Sequence, residues 1–145
     1  MKRCRWLAVV LLLPLVAAAS GEGLIIAAER GDVATLGRLL EAGADVNARD
    51  ARGRNAVLAA TQGGQVEAAR LLIARGADVN AQDDIRDSAF LLAGARGHTE
   101  IVRLLIGHRA NVNLADRQGA TPLTHAEQRG QRTISDLLRR AGGRR

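Results

Sequence analysis

The chain is most regular in the stretch GHTEIVRLLIGHRANVN, residues 97–113. Between Ile101 and Ile106 the apolar residues recur three and four positions apart, a spacing that predicts a helix with one apolar side. The same spacing is found 33 residues earlier, between Val66 and Ile73. Each of these apolar sides has to be buried by a neighbouring element.

A period of 33 residues runs through the chain. Three sets of polar or small residues keep it in separate phases: Gly31, Gly64, Gly97 and Gly130; Asn47, Asn80 and Asn113; and Asp50, Asp83 and Asp116. Apolar positions keep it too, in the set Leu39, Leu72, Leu105 and Leu138. A fixed period of this length indicates stacked repeats, each of which covers the apolar side of the next.

Each repeat is predicted to contain two short helices. The first helix begins after Asn55, Ser88 or Thr121, because each has a side-chain oxygen that can accept a hydrogen bond from the first helical turn. Pro122 stands at the first helical position, where a missing N–H does no harm. The glycines in phase with Gly97 fall where this helix stops and the chain reverses, which commonly needs a left-handed backbone.

The second helix of each repeat is predicted to end at a glycine in the same left-handed conformation. Gly43, Gly76 and Gly142 occupy this position in three repeats, whereas the third repeat has Arg109. If Arg109 adopts a left-handed conformation, the strain is on the order of 1 kcal/mol. The turn at Arg109 is therefore the weakest link that the sequence predicts.

Residues 116–130 resemble an ankyrin repeat through Gly119, Thr121, Pro122, Leu123 and Ala126. Residues 97–113 resemble that repeat still more closely. The resemblance implies an all-α fold, an ankyrin-repeat solenoid of about four stacked helix-turn-helix repeats within residues 22–143. The repeats are expected at about residues 22–49, 50–82, 83–115 and 116–143.

The chain departs from the family at the TPLH tetrapeptide, which appears here as NAVL at 55–58, SAFL at 88–91 and TPLT at 121–124. In the family the histidine joins adjacent loops through hydrogen bonds. Its replacement by Leu58, Leu91 and Thr124 predicts a more apolar contact at the first helix. The source of hydrogen bonds between loops is left open.

Polar residues at both ends of the array predict capped, non-polymerising end faces and hence a monomer. Arg38 takes the position of leucines in later repeats, and Arg139 takes the position of Leu40, Ile73 and Ile106. Residues 24–29 are expected to form the first helix of the amino-terminal cap.

Residues 1–19 are predicted to be a cleavable signal peptide. Basic residues precede an uncharged stretch, residues 6–21, in which Ala17 and Ala19 supply an A-x-A cleavage site. The alternative is an uncleaved anchor, but about 20 apolar residues are needed to span a bilayer and this run is shorter. Cleavage would remove Cys4, the one cysteine, so neither a disulfide framework nor a cysteine nucleophile is expected.

The composition favours one folded domain with a small net charge. The apolar fraction of 47% excludes wholesale disorder. The formal charge of +6 includes Lys2, Arg3 and Arg5, whose removal leaves 18 basic against 15 acidic residues, or +3. This excess is mild, and the predicted mature chain has Phe90 as its one aromatic residue, so nucleic-acid binding is not expected.

The family resemblance implies that a protein partner binds on the concave side, formed by loop tips and the edges of the first helices. Carried onto this chain, the matching positions are Arg52, Arg54, Gln62, Asp84, Ile85, Arg86, Asp87, Arg96, Arg117, Gln118, Gln128 and Arg129. Because arginine can grip carboxylates with two parallel hydrogen bonds, a partner with an acidic patch is expected. The alternative is that these side chains are simply solvated.

The loop DDIRD, residues 83–87, stands out among the tips. Arg86 replaces the glycine found as Gly53 and Gly119, and Ile85 exposes an apolar side chain between charges. Two interpretations remain open at this point: the loop contacts a partner, or Arg86 and Asp87 pair with each other or with a neighbouring tip.

An enzyme is the competing class, but no catalytic, cofactor or metal site is expected. The spacing of His98, His108 and His125 suits no metal-binding pair on one helix. His125, Ser135 and Asp136 supply the atom types of a hydrolytic triad, without an oxyanion-hole signature. The resemblance to ankyrin repeats implies that His98, beside Gly97, makes structural hydrogen bonds.

The sequence thus predicts a non-catalytic protein-binding module in a periplasmic or secreted location, with no stable membrane anchor after cleavage. It resembles small exported bacterial ankyrin-repeat proteins. The alternative function is a dedicated inhibitor or chaperone of a single periplasmic enzyme.

Overall fold

The computed structural model describes residues 20–145, so the predicted signal peptide, residues 1–19, lies outside the described residues. Residues 20–145 form eight helices: α1 Gly21–Arg30, α2 Val33–Glu41, α3 Ala56–Gln62, α4 Val66–Ala74, α5 Ala89–Arg96, α6 Thr99–Gly107, α7 Pro122–Gln128 and α8 Arg132–Arg140. This range contains no strand, only an isolated β-bridge between Gln82 and Ser88.

The helices stack in two layers. The odd-numbered helices are the first helices of the repeats, and each packs on the first helix of the next repeat. The even-numbered helices are the second helices, and each likewise packs on the next one. Within a repeat the two helices also contact each other. The prediction of an all-α solenoid of stacked helix pairs is therefore confirmed.

Side-chain caps begin the first helices where the sequence predicted them. Asn55, Ser88 and Thr121 precede α3, α5 and α7 in extended conformations, and each side-chain oxygen accepts a hydrogen bond from the amide three residues later. Ser20 caps α1 in the same way through the amide of Gly23. Each cap contributes roughly 1 kcal/mol to the stability of its helix.

The turn between the two helices of a repeat needs glycine for two reasons. Gly64 has a φ of 67°, which lies in the left-handed region. The next repeat also approaches closely, since a Cβ at Gly64 would lie 2.9 Å from Cε1 of His98. The sequence predicted the backbone conformation but not this contact.

His98 differs from its prediction as a source of structural hydrogen bonds. Its Nε2 atom is buried without a hydrogen-bond partner among residues 20–145. Burial, and then the charge of Arg96, lowers the pKa of the imidazole. His98 therefore contributes by packing over Gly64 in the neutral form.

Arg109 adopts the left-handed conformation that the sequence raised as a possibility. Its φ is 56°, whereas the glycines at the same position, Gly76 and Gly142, have values of 86° and 93°. A side chain at this backbone conformation is strained.

The core is a continuous apolar layer between the helices. Leu72, Leu105 and Leu138 hold the same position in successive second helices, and each is 0% exposed. In α3 every residue from Ala56 to Thr61 is buried. Phe90 is buried as well, as its place in the first helix predicted.

A ladder of asparagines joins the loops and answers the question left by the missing histidines. Oδ1 of Asn47 accepts a hydrogen bond from the amide of Asp78 at 2.8 Å. Asn80 accepts from the amide of Asn111 at 2.6 Å, and Asn113 accepts from the amide of Arg144 at 2.8 Å. The loops are therefore hydrogen-bonded without the family's histidine.

The two ends of the stack are not equally polar. Arg38 and Arg139 are exposed, as the capping prediction required. At the amino-terminal end, however, Ile26 and Val33 are 44% and 39% exposed, although Ala59, the equivalent of Ile26, is fully covered. None of the helices within residues 20–145 is both long and apolar enough to cross a bilayer.

Candidate binding face

Three loop tips project from the stack: residues 50–54, 83–87 and 116–120, which together form the tip face. Each tip is organised by the aspartate at its start. Oδ1 of Asp83, for example, accepts hydrogen bonds from the amides of Ile85 and Asp87 at 3.0 and 2.8 Å. Asp50 and Asp116 do the same in their tips. The sequence showed the period of these aspartates but not their role.

Hydrogen bonds join each tip, or the residue just before it, to the next. Nη1 of Arg49 donates to the carbonyl of Gln82 at 2.7 Å, and Nε2 of Gln82 donates to the carbonyl of Ala115 at 3.0 Å. Arg117 also donates to the carbonyl of Asp84. These contacts hold the tip face in one arrangement across the repeats.

Nine of the twelve predicted partner-binding side chains are exposed. Six of them lie on the tip face, namely Arg52, Asp84, Ile85, Arg86, Arg117 and Gln118, and three lie at the ends of α5 and α7, namely Arg96, Gln128 and Arg129. Gln62 and Asp87 are half-buried, and both line a groove beside the second tip.

Arg54 departs from its predicted place at the surface, because it is only 8% exposed. Its Nε donates to Oδ2 of Asp50 at 2.8 Å, and Nη1 donates to Oε1 of Gln62. Glu29 of the preceding repeat lies 3.5 Å from Nη2. The guanidinium is thus occupied within the chain, and Arg54 holds the first tip against the repeat before it.

Arg86 and Asp87 make no ion pair with each other or with a neighbouring tip in the described part of the chain. Arg86 is exposed and has a φ of 66°. It therefore adopts the left-handed turn conformation that Gly53 and Gly119 adopt in the other two tips. Ile85 beside it is 57% exposed.

The groove lies between the first and second tips and has a volume of about 300 Å³. Its lining comprises Ala51, Arg52, Arg54 and Gln62 of the second repeat and Asp83, Asp84, Ile85 and Asp87 of the second tip. Burial, and then the charge of Asp83, raises the pKa of Asp87. The groove therefore places carboxylates next to exposed apolar surface.

The carboxylates that begin the outer tips are paired. His125 Nε2 lies 2.8 Å from Oδ2 of Asp116, and this hydrogen bond lowers the pKa of Asp116. Burial alone would raise the pKa of Asp50, but hydrogen bonds from Arg54 and the tip amides hold it below its ordinary value.

Two family models match the chain, and both describe ankyrin repeats. One, described as ankyrin repeats in many copies, matches residues 24–73, and the other, described as ankyrin repeats in three copies, matches residues 75–143. The chain belongs to the ankyrin-repeat family. No curated protein matches it. Ankyrin repeats are generally protein-interaction modules, and the family is typically non-catalytic.

In this ankyrin stack the three residues considered as a hydrolytic triad, His125, Ser135 and Asp136, each contact a different residue outside the triad. His125 is hydrogen-bonded to Asp116, and the buried Ser135 donates to the carbonyl of Gln131. Asp136 pairs with Arg139. Within residues 20–145 there is also no group of three histidine, cysteine or acidic residues that could hold a metal ion.

A basic cluster occupies the carboxy-terminal end of the ankyrin array. Glu127 lies at its centre, 2.5 Å from Nη2 of Arg139 and 2.8 Å from Nε of Arg145. The hydrogen bonds from Arg145 and then Arg139 lower the pKa of Glu127. Part of the arginine charge in this cluster is therefore neutralised within the chain.

Proposed function

We propose that this chain is a non-catalytic protein-binding module that works in a periplasmic or secreted location and binds its partner through the tip face. The family supports protein binding in general. The observation that carries the proposed face is the row of exposed, charged side chains on tips that are fixed by hydrogen bonds. A fixed surface loses little conformational entropy on binding.

The exposed arginines of the tips are proposed to contact an acidic patch on the partner. Arg52, Arg86 and Arg117 are exposed on the three successive tips, and none of their guanidinium groups is in an ion pair within residues 20–145. Arginine binds carboxylates with two parallel hydrogen bonds, which gives both affinity and direction.

Photocrosslinking tests the proposed face. A benzophenone amino acid is placed at Gln118 on the third tip and, as the control, at Arg103, which is 54% exposed on α6. Crosslinks to protein are expected from Gln118 and not from Arg103. One dominant adduct would favour an inhibitor or chaperone of a single enzyme, whereas equal crosslinking from both positions would contradict the proposed face.

Charge reversal then tests the acidic patch on the crosslinked partner. The triple variant R52E/R86E/R117E is compared with R70E/R75E/R103E, which reverses three exposed charges on or beside the second helices. Affinity is expected to fall at least tenfold in the first variant alone. Unchanged affinity in a folded first variant would overturn this part of the proposal.

The proposed location rests on residues 1–19, which have the layout of a signal peptide. The cleavage site predicts a mature chain that begins at Ser20. Mass spectrometry of the chain secreted by a bacterial host checks this. An intact amino terminus in the cytoplasmic fraction would contradict the proposal.

A further inference from the structure

The second carboxylate oxygen of each tip aspartate distinguishes the middle tip from the outer two. Oδ2 of Asp50 accepts a hydrogen bond from Nε of Arg54 at 2.8 Å, and Oδ2 of Asp116 lies 2.8 Å from Nε2 of His125. Oδ2 of Asp83 has no hydrogen-bond or ion-pair partner within residues 20–145. Oδ2 of the tip aspartate therefore contacts a basic nitrogen in the two outer tips, but not in the middle tip.

The sequence of the middle repeat explains this difference, because it contains neither basic residue. Asp87 stands where the first tip has Arg54, and Leu92 stands where the last repeat has His125. The substitution at position 87 removes a positive charge and adds a second carboxylate. Like Oδ2 of Asp83, the carboxylate oxygens of Asp87 receive no hydrogen bond from the described residues.

The positive groups that influence Asp87 are engaged elsewhere. Arg96 and His125 lower the pKa of Asp87 through their charge, against the larger effects that raise it. Arg96 donates to the carbonyl of Gln62 at 3.0 Å, and His125 is bound to Asp116.

Space and apolar surface accompany these two carboxylates. Asp83 and Asp87 line the groove of about 300 Å³ between the first two tips, which lies at the lower end of small-ligand pocket volumes. Ile85, 57% exposed, lines the same groove. Asp84, Arg52 and Arg54 line it too, but Arg54 is already paired with Asp50 and Glu29. An incoming side chain would therefore meet three carboxylates, the guanidinium of Arg52 and an exposed aliphatic group.

We propose that this groove binds an arginine side chain of the partner protein between Asp83 and Asp87, with an adjacent aliphatic residue of the partner against Ile85. The guanidinium would take the place that Arg54 occupies beside Asp50 in the preceding repeat. Arginine fits better than lysine because its planar fork can donate to two carboxylates at once. This inference rests on the proposed protein-binding function and makes the middle of the tip face a site for a basic residue.

Two short peptides test the groove on the full chain. N-acetyl-Leu-Arg amide is titrated against the protein and followed by NMR of the backbone amides, with N-acetyl-Leu-citrulline amide as the neutral control of equal shape. Chemical-shift changes confined to the groove are expected at the amides of Ile85 and Asp87. The arginine peptide is expected to bind roughly fivefold tighter than the citrulline peptide, equivalent to about 1 kcal/mol.

Variants of the same protein identify the carboxylates. D83N/D87N removes both charges, yet the side-chain amide introduced at position 83 keeps an oxygen that can accept hydrogen bonds from the tip amides, so the fold should survive. The control E100Q removes one charge from a side chain that is 69% exposed on α6. The preference for arginine is expected to disappear in D83N/D87N and to remain in E100Q.

The outcomes separate this inference from the proposed function. Equal shifts with the two peptides, shifts outside the groove, or an arginine preference that persists in folded D83N/D87N would each overturn the inference. Crosslinking from Gln118 would then still support the tip face as the binding face. If instead crosslinking fails while the groove selects arginine, the proposed function is contradicted and the site remains.

Discussion

Arg109 has a φ of 56° at the end of α6, where the preceding repeat has Gly76. Left-handed backbone costs roughly 1–2 kcal/mol for a residue with a Cβ. Glycine removes that strain but increases the entropy of the unfolded chain, which offsets part of the gain. We therefore expect R109G to raise the free energy of unfolding by about 0.5–1 kcal/mol, measured by urea denaturation.

The control for this prediction is R75G. Arg75 follows α4 as its C-cap residue with a φ of −94°, which any residue adopts, so glycine there relieves no strain and should lower stability. Equal effects of R109G and R75G would show that strain at Arg109 does not limit stability.

Asp87 gives a prediction that depends on pH. Burial, and then the charge of Asp83, raises its pKa above the ordinary 3.8, so the folded chain holds this proton more tightly than the unfolded chain. Stability then falls as pH rises through the interval between the two pKa values, and the ionised group is destabilising at pH 7. Removing that charge with D87N should therefore stabilise the protein at pH 7.

The expected gain is below about 1 kcal/mol, because solvent screens a half-buried carboxylate. It should vanish at pH 3, where the carboxyl is mostly protonated in both states. Urea denaturation of D87N and the parent at the two pH values measures this, with E100Q as control. A loss of stability at pH 7 would mean that the carboxylate makes a stabilising contact in solution.

At the residue scale, local sequence predicted what depends on a few neighbouring residues. The cap formed by Ser88 and the left-handed turn at Gly97 follow from residue type and phase. The pairing of Arg54 with Asp50 is local, but its contacts with Gln62 and with Glu29, 25 residues earlier, arise from the packing of the helices and could not be predicted in this way.

At the scale of the element, the loops are joined by asparagine side chains. Oδ1 of Asn80 accepts the amide of Asn111 across the repeat boundary at 2.6 Å. We expect N80A to lower the free energy of unfolding by about 1 kcal/mol, since it leaves a backbone amide without its partner. Hydrogen exchange at Asn111 should accelerate in the same variant.

The matched control is N80D, which keeps an acceptor oxygen at the same position. Its stability should stay within about 0.5 kcal/mol of the parent. If N80D destabilises the chain as much as N80A, hydrogen-bond acceptance is not what Asn80 contributes.

The asparagine ladder could be predicted only in part from the sequence. The TPLH tetrapeptide lacks its histidine, so it does not predict how the loops are joined, although Asn47, Asn80 and Asn113 form a 33-residue series in the sequence. Their partners are backbone amides 31 residues further along the chain, and a backbone amide has no sequence signature. The period could therefore predict the series, but only the stacking of repeats reveals its function.

At the scale of the molecule, the array has two different ends. Ile26 and Val33 are 44% and 39% exposed on the first repeat, because no earlier repeat within residues 20–145 covers them. The last repeat instead ends in the arginine cluster around Glu127. Arg38 and Arg139, which stand where other repeats have leucine or isoleucine, predicted two polar ends, but exposed Ile26 and Val33 make the first end partly apolar.

Because each repeat contacts only adjacent repeats, stability should depend on position in the stack. Leu72 and Leu138 are equivalent and both 0% exposed, yet Leu72 lies in α4, between two second helices, whereas Leu138 lies in α8, which packs on α6 alone among the second helices. Replacing either leucine by alanine should cost about 2–5 kcal/mol at its site. L138A should open α7 and α8 first, while L72A should weaken the whole array because it disrupts both neighbouring interfaces.

Hydrogen exchange with mass spectrometry distinguishes these responses. In L138A, amides of α7 and α8 should lose protection while those of α3 and α4 keep it, and urea denaturation should broaden. In L72A the loss should extend over all repeats within one transition. Identical loss of protection along the whole array in both variants would show that coupling reaches beyond adjacent repeats, in which case the terminal repeat carrying the third tip could not open independently of the groove.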